Sequence, residues 1–252
     1  MTASANPLRR LWEEDRTAFG VWAGIPSSFT AEVIARARPD YVCVDQQHGL
    51  TGHDALPGLL QVIAALGVTP IVRVPANEAH LIGRALDLGA LGVIVPLVDD
   101  ARGATKAVAA CRYPPRGTRS YGPIRAADVL GSADPAVLDR EVWCLAMVET
   151  RQGLENVDAI AATPGLDGVY VGPSDLALGL GLPPGPGAET DEHADAVDAI
   201  LSACQRAGIV AGIQCGDGAS AALRAAEGFK VVTTGVDLRL LRAAVEIGRA
   251  HV

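Results

Sequence analysis

Eight short, almost continuous apolar runs recur along the chain, each followed by a longer alanine- and leucine-rich stretch, and this alternation limits the folds available. The runs are Ala18–Gly24, Tyr41–Asp45, Pro70–Val74, Gly92–Pro96, Trp143–Glu149, Gly168–Gly172, Ile209–Ile213 and Lys230–Thr234. Apolar runs without polar alternation are expected of parallel strands covered on both faces. Thr30–Arg38, His53–Leu66, Glu78–Leu88, Asp99–Cys111, Val157–Thr163, Asp191–Ala207 and Ser220–Glu227 are expected helices, several stopped by a following Gly or Pro. Eight such units close an α/β (β/α)8 TIM barrel, and 252 residues is the usual size of one. A doubly wound open sheet, the main rival, gives no reason for the regular repeat. Two segments break the rhythm, Arg112–Pro123 and Leu180–Gly187, and both are expected near strand C-terminal ends, where barrels build their sites. The pattern resumes beyond each, so residues 1–252 read as one domain.

Composition removes several functions. A formal charge of −8 makes nucleic acid and anionic membrane poor partners. No GxGxxG follows the first strand and no GxxxxGK[ST] occurs, which excludes the commonest nucleotide-binding loops. Cys43, Cys111, Cys144, Cys204 and Cys215 show neither CxxC pairing nor a zinc rhythm, so they read as structural thiols in a reducing compartment. The N-terminus lacks an apolar signal core and no run is long enough to span a bilayer, so a cytoplasmic protein is expected.

Polar residues stand where strands end. The second run finishes in Asp45-Gln46-Gln47-His48, the third carries Arg73, the fifth ends in Glu149, and Ser174-Asp175 follow the sixth. In a closed barrel these ends meet at one mouth. Glu149 and Asp175 suit a hard divalent ion, because two carboxylates leave positions open to water and substrate. A strand cap and a helix start account for each alone; their shared rim favours the metal pair. Gly172-Pro173-Ser174 runs into a helix and suits a substrate carboxylate. His48 is the general-base candidate, with Asp45 to fix its tautomer. Arg73 suits a developing enolate, or a rim salt bridge. Trp22 reads equally as mouth lining or core. His53, His80, His193 and His251 fall on expected helices or the tail and read as solvated.

GVWAG, VCVDQQHG, PIVRV, LDLGALGVIVPLV, RYPPRGTRSYGP, AMVET and DGVYVGPSDLALGLG occur here in the order found in the HpcH/HpaI aldolase family, which the chain resembles from Thr17 to the C-terminal helix. These are class II pyruvate aldolases, including 4-hydroxy-2-oxoheptanedioate and 2-dehydro-3-deoxyglucarate aldolases. The resemblance implies Mg²⁺, Mn²⁺ or Co²⁺ on Glu149 and Asp175, and His48 moving a proton through a bound water beside Asp45. It implies Arg73 on the 2-oxo group and the backbone of Gly172, Pro173 and Ser174 on the substrate carboxylate. It also implies that Asp87, bland by itself, reaches the site of an adjacent subunit in a hexamer built as a trimer of dimers with helix exchange. Two departures stand out: Gln47 replaces the Glu that many members carry before the histidine, and Met147 replaces a Gln found in some. Both bear on substrate preference and, through the lost charge beside His48, on proton transfer.

The reaction expected is reversible cleavage of a 4-hydroxy-2-oxo acid to pyruvate, or a related 2-oxo acid, and an aldehyde. No lysine ends a strand as imine chemistry needs; Lys230 begins the eighth run, on the opposite face. The alternatives are a CoA-ester lyase of the citrate lyase type, using Arg112, Arg116, Arg119 and Arg125 for phosphates, and a catalytically silent binding barrel. Oxaloacetate cleavage through the same enolate also stays open.

Overall fold

The computed structural model describes residues 4–185 and 190–250. Strands β1 (Ala18–Ala23), β2 (Tyr41–Asp45), β3 (Thr69–Arg73), β4 (Gly92–Val95), β5 (Trp143–Val148), β6 (Gly168–Val171), β7 (Val210–Gln214) and β8 (Val231–Val236) form a closed parallel barrel in chain order. The helices are α1 (Pro7–Glu13), α2 (Ser28–Arg36), α3 (Leu56–Ala65), α4 (Ala79–Asp87), α5 (Ala101–Cys111), α6 (Ala126–Leu130) and α7 (Pro135–Glu141). They continue with α8 (Arg151–Glu155), α9 (Val157–Ala161), α10 (Pro173–Gly179), α11 (Asp191–Ala207), α12 (Gly218–Glu227) and α13 (Asp237–Ala250). The (β/α)8 barrel expected from the sequence is the observed fold, with every strand boundary within two residues of its expected place.

The runs lack polar alternation because both faces of each strand are buried. Trp22, Tyr41, Cys43, Ile71, Ile94, Leu145, Met147 and Tyr170 fill the barrel interior, whereas Val42, Val44, Val72, Val93 and Val169 pack under the helices. Two tyrosines fit the interior only because glycines face them: a Cβ on Gly20 would lie 2.3 Å from the Tyr41 ring, and one on Gly212 2.6 Å from Tyr170. Thr233 Oγ1 joins both phenols, at 3.0 Å from Tyr41 and 2.6 Å from Tyr170. Helix α1 closes the N-terminal end, burying Leu8 and setting Trp12 edge-on to Trp143 at 6.4 Å. All five cysteines are buried, as the structural reading expects, and Cys43, Cys111, Cys144 and Cys204 are free thiols.

One expectation about a loop fails. Arg112–Pro123 lies at the N-terminal end of the barrel, opposite the mouth. Arg112 donates to the carbonyl oxygens of Val142 and Gly165 and to Asp167 Oδ2, at 3.4, 3.2 and 2.7 Å, all just before β5 or β6 begins. Helix α5 has already carried the chain down the barrel before this loop starts. Of Leu180–Gly187, residues 186–187 lie outside the described residues, as does His251. Helix α13 leaves Leu238, Leu240, Leu241, Val245 and Ile247 exposed. No helix among the described residues is long and apolar enough to cross a membrane.

Candidate active site

The mouth is built outward from a buried ion pair. Asp45 ends β2 and Arg73 ends β3, and these residues are direct partners in the parallel register. Arg73 Nε donates to Asp45 Oδ1 at 2.8 Å and Nη2 to Oδ2 at 2.6 Å, a two-point contact that fixes the guanidinium plane. Beneath it the Trp22 ring lies 4.3 Å from the guanidinium carbon, a cation–π contact made inside the barrel. Trp22 is therefore both core and floor of the mouth. With Nε–H and one Nη2 N–H committed to Asp45, both Nη1 N–H groups and the second on Nη2 are left for a substrate oxygen.

Asp45 also shapes the following turn. Its Oδ1 accepts the backbone N–H of Gln47 at 3.0 Å and of His48 at 3.3 Å. The contact with His48 is thus to its backbone, and no hydrogen bond from Asp45 to the His48 ring is made among the described residues. The His48 side chain stands exposed at the rim. Gly49 allows the turn to close, since a Cβ there would meet the Asp45 carbonyl oxygen at 2.2 Å.

Glu149 follows β5 and is 2 % exposed. Its Oε1 accepts the Leu97 N–H at 2.9 Å, while its buried Oε2 has no partner. A Cβ on Gly172 would sit 2.4 Å from that oxygen, so the β6 loop passes close to it. Burial pushes the Glu149 carboxyl up to about 7; the Leu97 N–H opposes this, the charge of Asp175 adds to it, Arg73 opposes it and Asp99 adds to it. Asp175 lies in the first turn of α10, after Gly172, Pro173 and the exposed Ser174. Two carboxylates crowded together, one with an unpartnered buried oxygen, form a donor set that suits a hard divalent cation completed by water and substrate. Among the described residues no group of three or more His, Cys, Asp or Glu is placed to hold a metal.

The structure gathers Trp22, Asp45, Arg73, Glu149, Asp175 and the Gly172–Ser174 turn at one mouth, with His48 on its rim. It does not bring Asp87 there. Asp87 ends α4, which returns toward the N-terminal end of the barrel, and pairs with the buried Arg119 at 2.7 Å. His193, read as solvated, is buried, and its Nε2 lies 3.0 Å from the Pro173 carbonyl oxygen, bracing the turn before Asp175. Its helix position misled because α11 lays that face on the barrel. Sequence reasoning also missed Leu97 and Asp99. Asp99 hydrogen-bonds Thr150 and presses on Glu149. A polar residue just after the fourth run was a visible signal, hidden because Asp99 was read as the start of a helix.

The HpcH/HpaI aldolase/citrate lyase family model matches residues 18–244. The chain belongs to this family. It is 39 % identical to a hydroxypyruvate/pyruvate aldolase of Rhizorhabdus wittichii, over 95 % of this chain and 95 % of that one. It is 36 % identical to a 4-hydroxy-2-oxovalerate aldolase of Rhodococcus jostii, over 96 % and 91 %. Among solved structures, a HpcH/HpaI aldolase/citrate lyase family protein from Burkholderia cenocepacia superposes with a TM-score of 0.86 at 30 % identity, covering 97 % of each chain. Family membership makes the protein an enzyme of the lyase type, and the mouth is where its chemistry is to be sought.

Proposed function

We propose that this chain is a divalent-metal-dependent aldolase that reversibly cleaves 4-hydroxy-2-oxo acids to pyruvate, or a related 2-oxo acid, and an aldehyde. The observation that carries the reading is Glu149: buried, held through one oxygen, unpartnered at the other, and beside a second carboxylate. Glu149 and Asp175 would hold Mg²⁺, Mn²⁺ or Co²⁺. An ion there supplies Lewis-acid stabilisation of negative charge on the substrate. Arg73 offers its remaining N–H groups to the 2-oxo oxygen and meets the charge that develops as the enolate forms. Because Asp45 and Trp22 already fix the guanidinium, little reorganisation is needed at that moment. His48 moves the proton of the 4-hydroxyl, directly or through water, from its place on the rim. Gly172, Pro173 and Ser174 receive the substrate carboxylate.

The CoA-ester reading is less well supported. Arg112 and Arg119, two of the arginines it would use for phosphates, are engaged with Asp167 and Asp87 away from the mouth. A silent barrel fits poorly with an ionisable group kept buried and half-satisfied at the mouth. The exposed apolar face of α13 and the groove lined by Phe19, Val33, Ile34 and Leu240 support a homo-oligomer that exchanges this helix between copies. In such a hexamer, a trimer of dimers, Asp87 would act in a neighbour's site. A cytoplasmic location agrees with the free thiols of Cys43, Cys111, Cys144 and Cys204.

The deciding experiment treats purified protein with EDTA, then supplies pyruvate and a small aldehyde with and without Mg²⁺, Mn²⁺ or Co²⁺. Aldol product formed only with metal, and lost in Glu149→Gln, is expected. Activity that survives both chelation and the substitution would overturn the metal assignment.

A further inference from the structure

Among the described residues, Asp15, Arg38 and Leu97 are the non-glycine residues with positive φ. Asp15 belongs to a residue type that tolerates this conformation, and Arg38 ends α2 as helix stops commonly do. Leu97 has neither excuse. It follows β4 at the mouth with φ 53°, and its branched side chain is 55 % exposed, so burial does not offset the strain.

What the conformation delivers is a donor. The Leu97 N–H points at Glu149 Oε1, at 2.9 Å, and the next N–H, of Val98, returns to the Met147 carbonyl oxygen at 3.1 Å. The chain loops out by one residue, so that successive N–H groups serve a side chain and the backbone around the end of β5. One carboxylate oxygen is thereby anchored. The other, Oε2, keeps no protein partner, beside a glycine where any side chain would collide with it.

We propose that Leu97 is a positioning residue: its left-handed backbone fixes the rotamer of Glu149 and presents Oε2 to the ion. The inference rests on the metal reading above and adds that a backbone strain at β4, not a side chain, sets the geometry of the ligand. Its consequence is that affinity for the ion depends on which backbone conformations residue 97 accepts, and little on the bulk it carries.

The test compares Leu97→Ile, Leu97→Asn and Leu97→Gly in the full chain, stripped with EDTA and titrated calorimetrically with MnCl₂. Isoleucine matches leucine in volume but resists positive φ, whereas asparagine and glycine accept it. Loss of a hydrogen bond to a charged group should weaken Mn²⁺ binding about ten-fold in Leu97→Ile. Leu97→Asn and Leu97→Gly should stay within about two-fold of the wild type, because both keep the donor in place. Thermal melting in EDTA checks that each variant folds. Should the isoleucine protein fail to fold, the smaller β-branched Leu97→Val against Leu97→Gly makes the same comparison. Wild-type affinity in the isoleucine or valine variant, or an equal loss in asparagine and glycine, overturns the positioning role while leaving the metal reading intact. A wild-type protein that binds no Mn²⁺ overturns both.

Discussion

Glu149 holds its proton to unusual pH because burial penalises its charge, with Asp175 adding to the effect of burial and the Leu97 N–H opposing it. Its carboxyl is raised from 4.5 to about 7 in the folded, metal-free protein, so the folded state favours the protonated form. The stabilisation this gives is complete below the unfolded value of 4.5 and is lost as pH rises through about 7. Melting of EDTA-treated protein across that window should show the wild type losing stability relative to Glu149→Gln as pH increases. A constant difference between the two would contradict the shift. Arg73→Lys should lower kcat/KM on the order of a hundred-fold or more, since an ammonium cannot reproduce the planar two-point contact. Steady-state kinetics with a melting control measures this, and near-normal turnover would remove Arg73 from the reaction. Asp45, Arg73 and Glu149 were legible in the sequence because a charged residue closing an apolar run has few other reasons to be there. Leu97 was not: nothing in the letters PLV marks a positive φ.

The elements are held at the mouth by contacts between their ends. Asp237, the first residue of α13, accepts the N–H groups of Gly24 and Ile25, at 3.0 Å each, and so ties β8 and α13 to the end of β1. Asp237 is buried, and Asp237→Ala would strand both donors, costing about 3–6 kcal/mol at roughly 1.5–3 for each lost charged bond. Urea unfolding should report a lower midpoint; an unchanged one would mean that water replaces the carboxylate without loss. The strands were readable because burial on both faces writes an uninterrupted apolar run. The short helices α1, α6 and α7 were not, because five to seven residues carry too little periodicity to register. The loop Arg112–Pro123 was assigned to the wrong end because its Arg and Gly content resembles a binding loop, while direction depends on α5 having returned the chain.

For the whole molecule, the apolar stripe of α13 is too continuous to leave to water. Light scattering on eluting protein should give a mass several times that of one chain, and charged replacements of Leu240 and Leu241 should lower it. A monomer at micromolar concentration would rule out helix exchange. If Asp87 serves a neighbouring site, mixing inactive Asp87→Ala and Glu149→Gln proteins after dissociation should restore part of the activity. Mixtures that stay inactive would confine Asp87 to its ion pair with Arg119.

The sequence alone determined the barrel, because its eight apolar runs demand strands covered on both faces, and it named most of the polar residues at the strand ends. Only the tertiary structure decided how those residues divide their bonds. Asp45 spends its oxygens on Arg73 and the turn, His193 is buried behind Pro173, and Asp87 faces the far end. Periodicity reports which face of an element is apolar. Which oxygen of a carboxylate is left without a partner depends on backbone direction and on neighbours from distant parts of the chain.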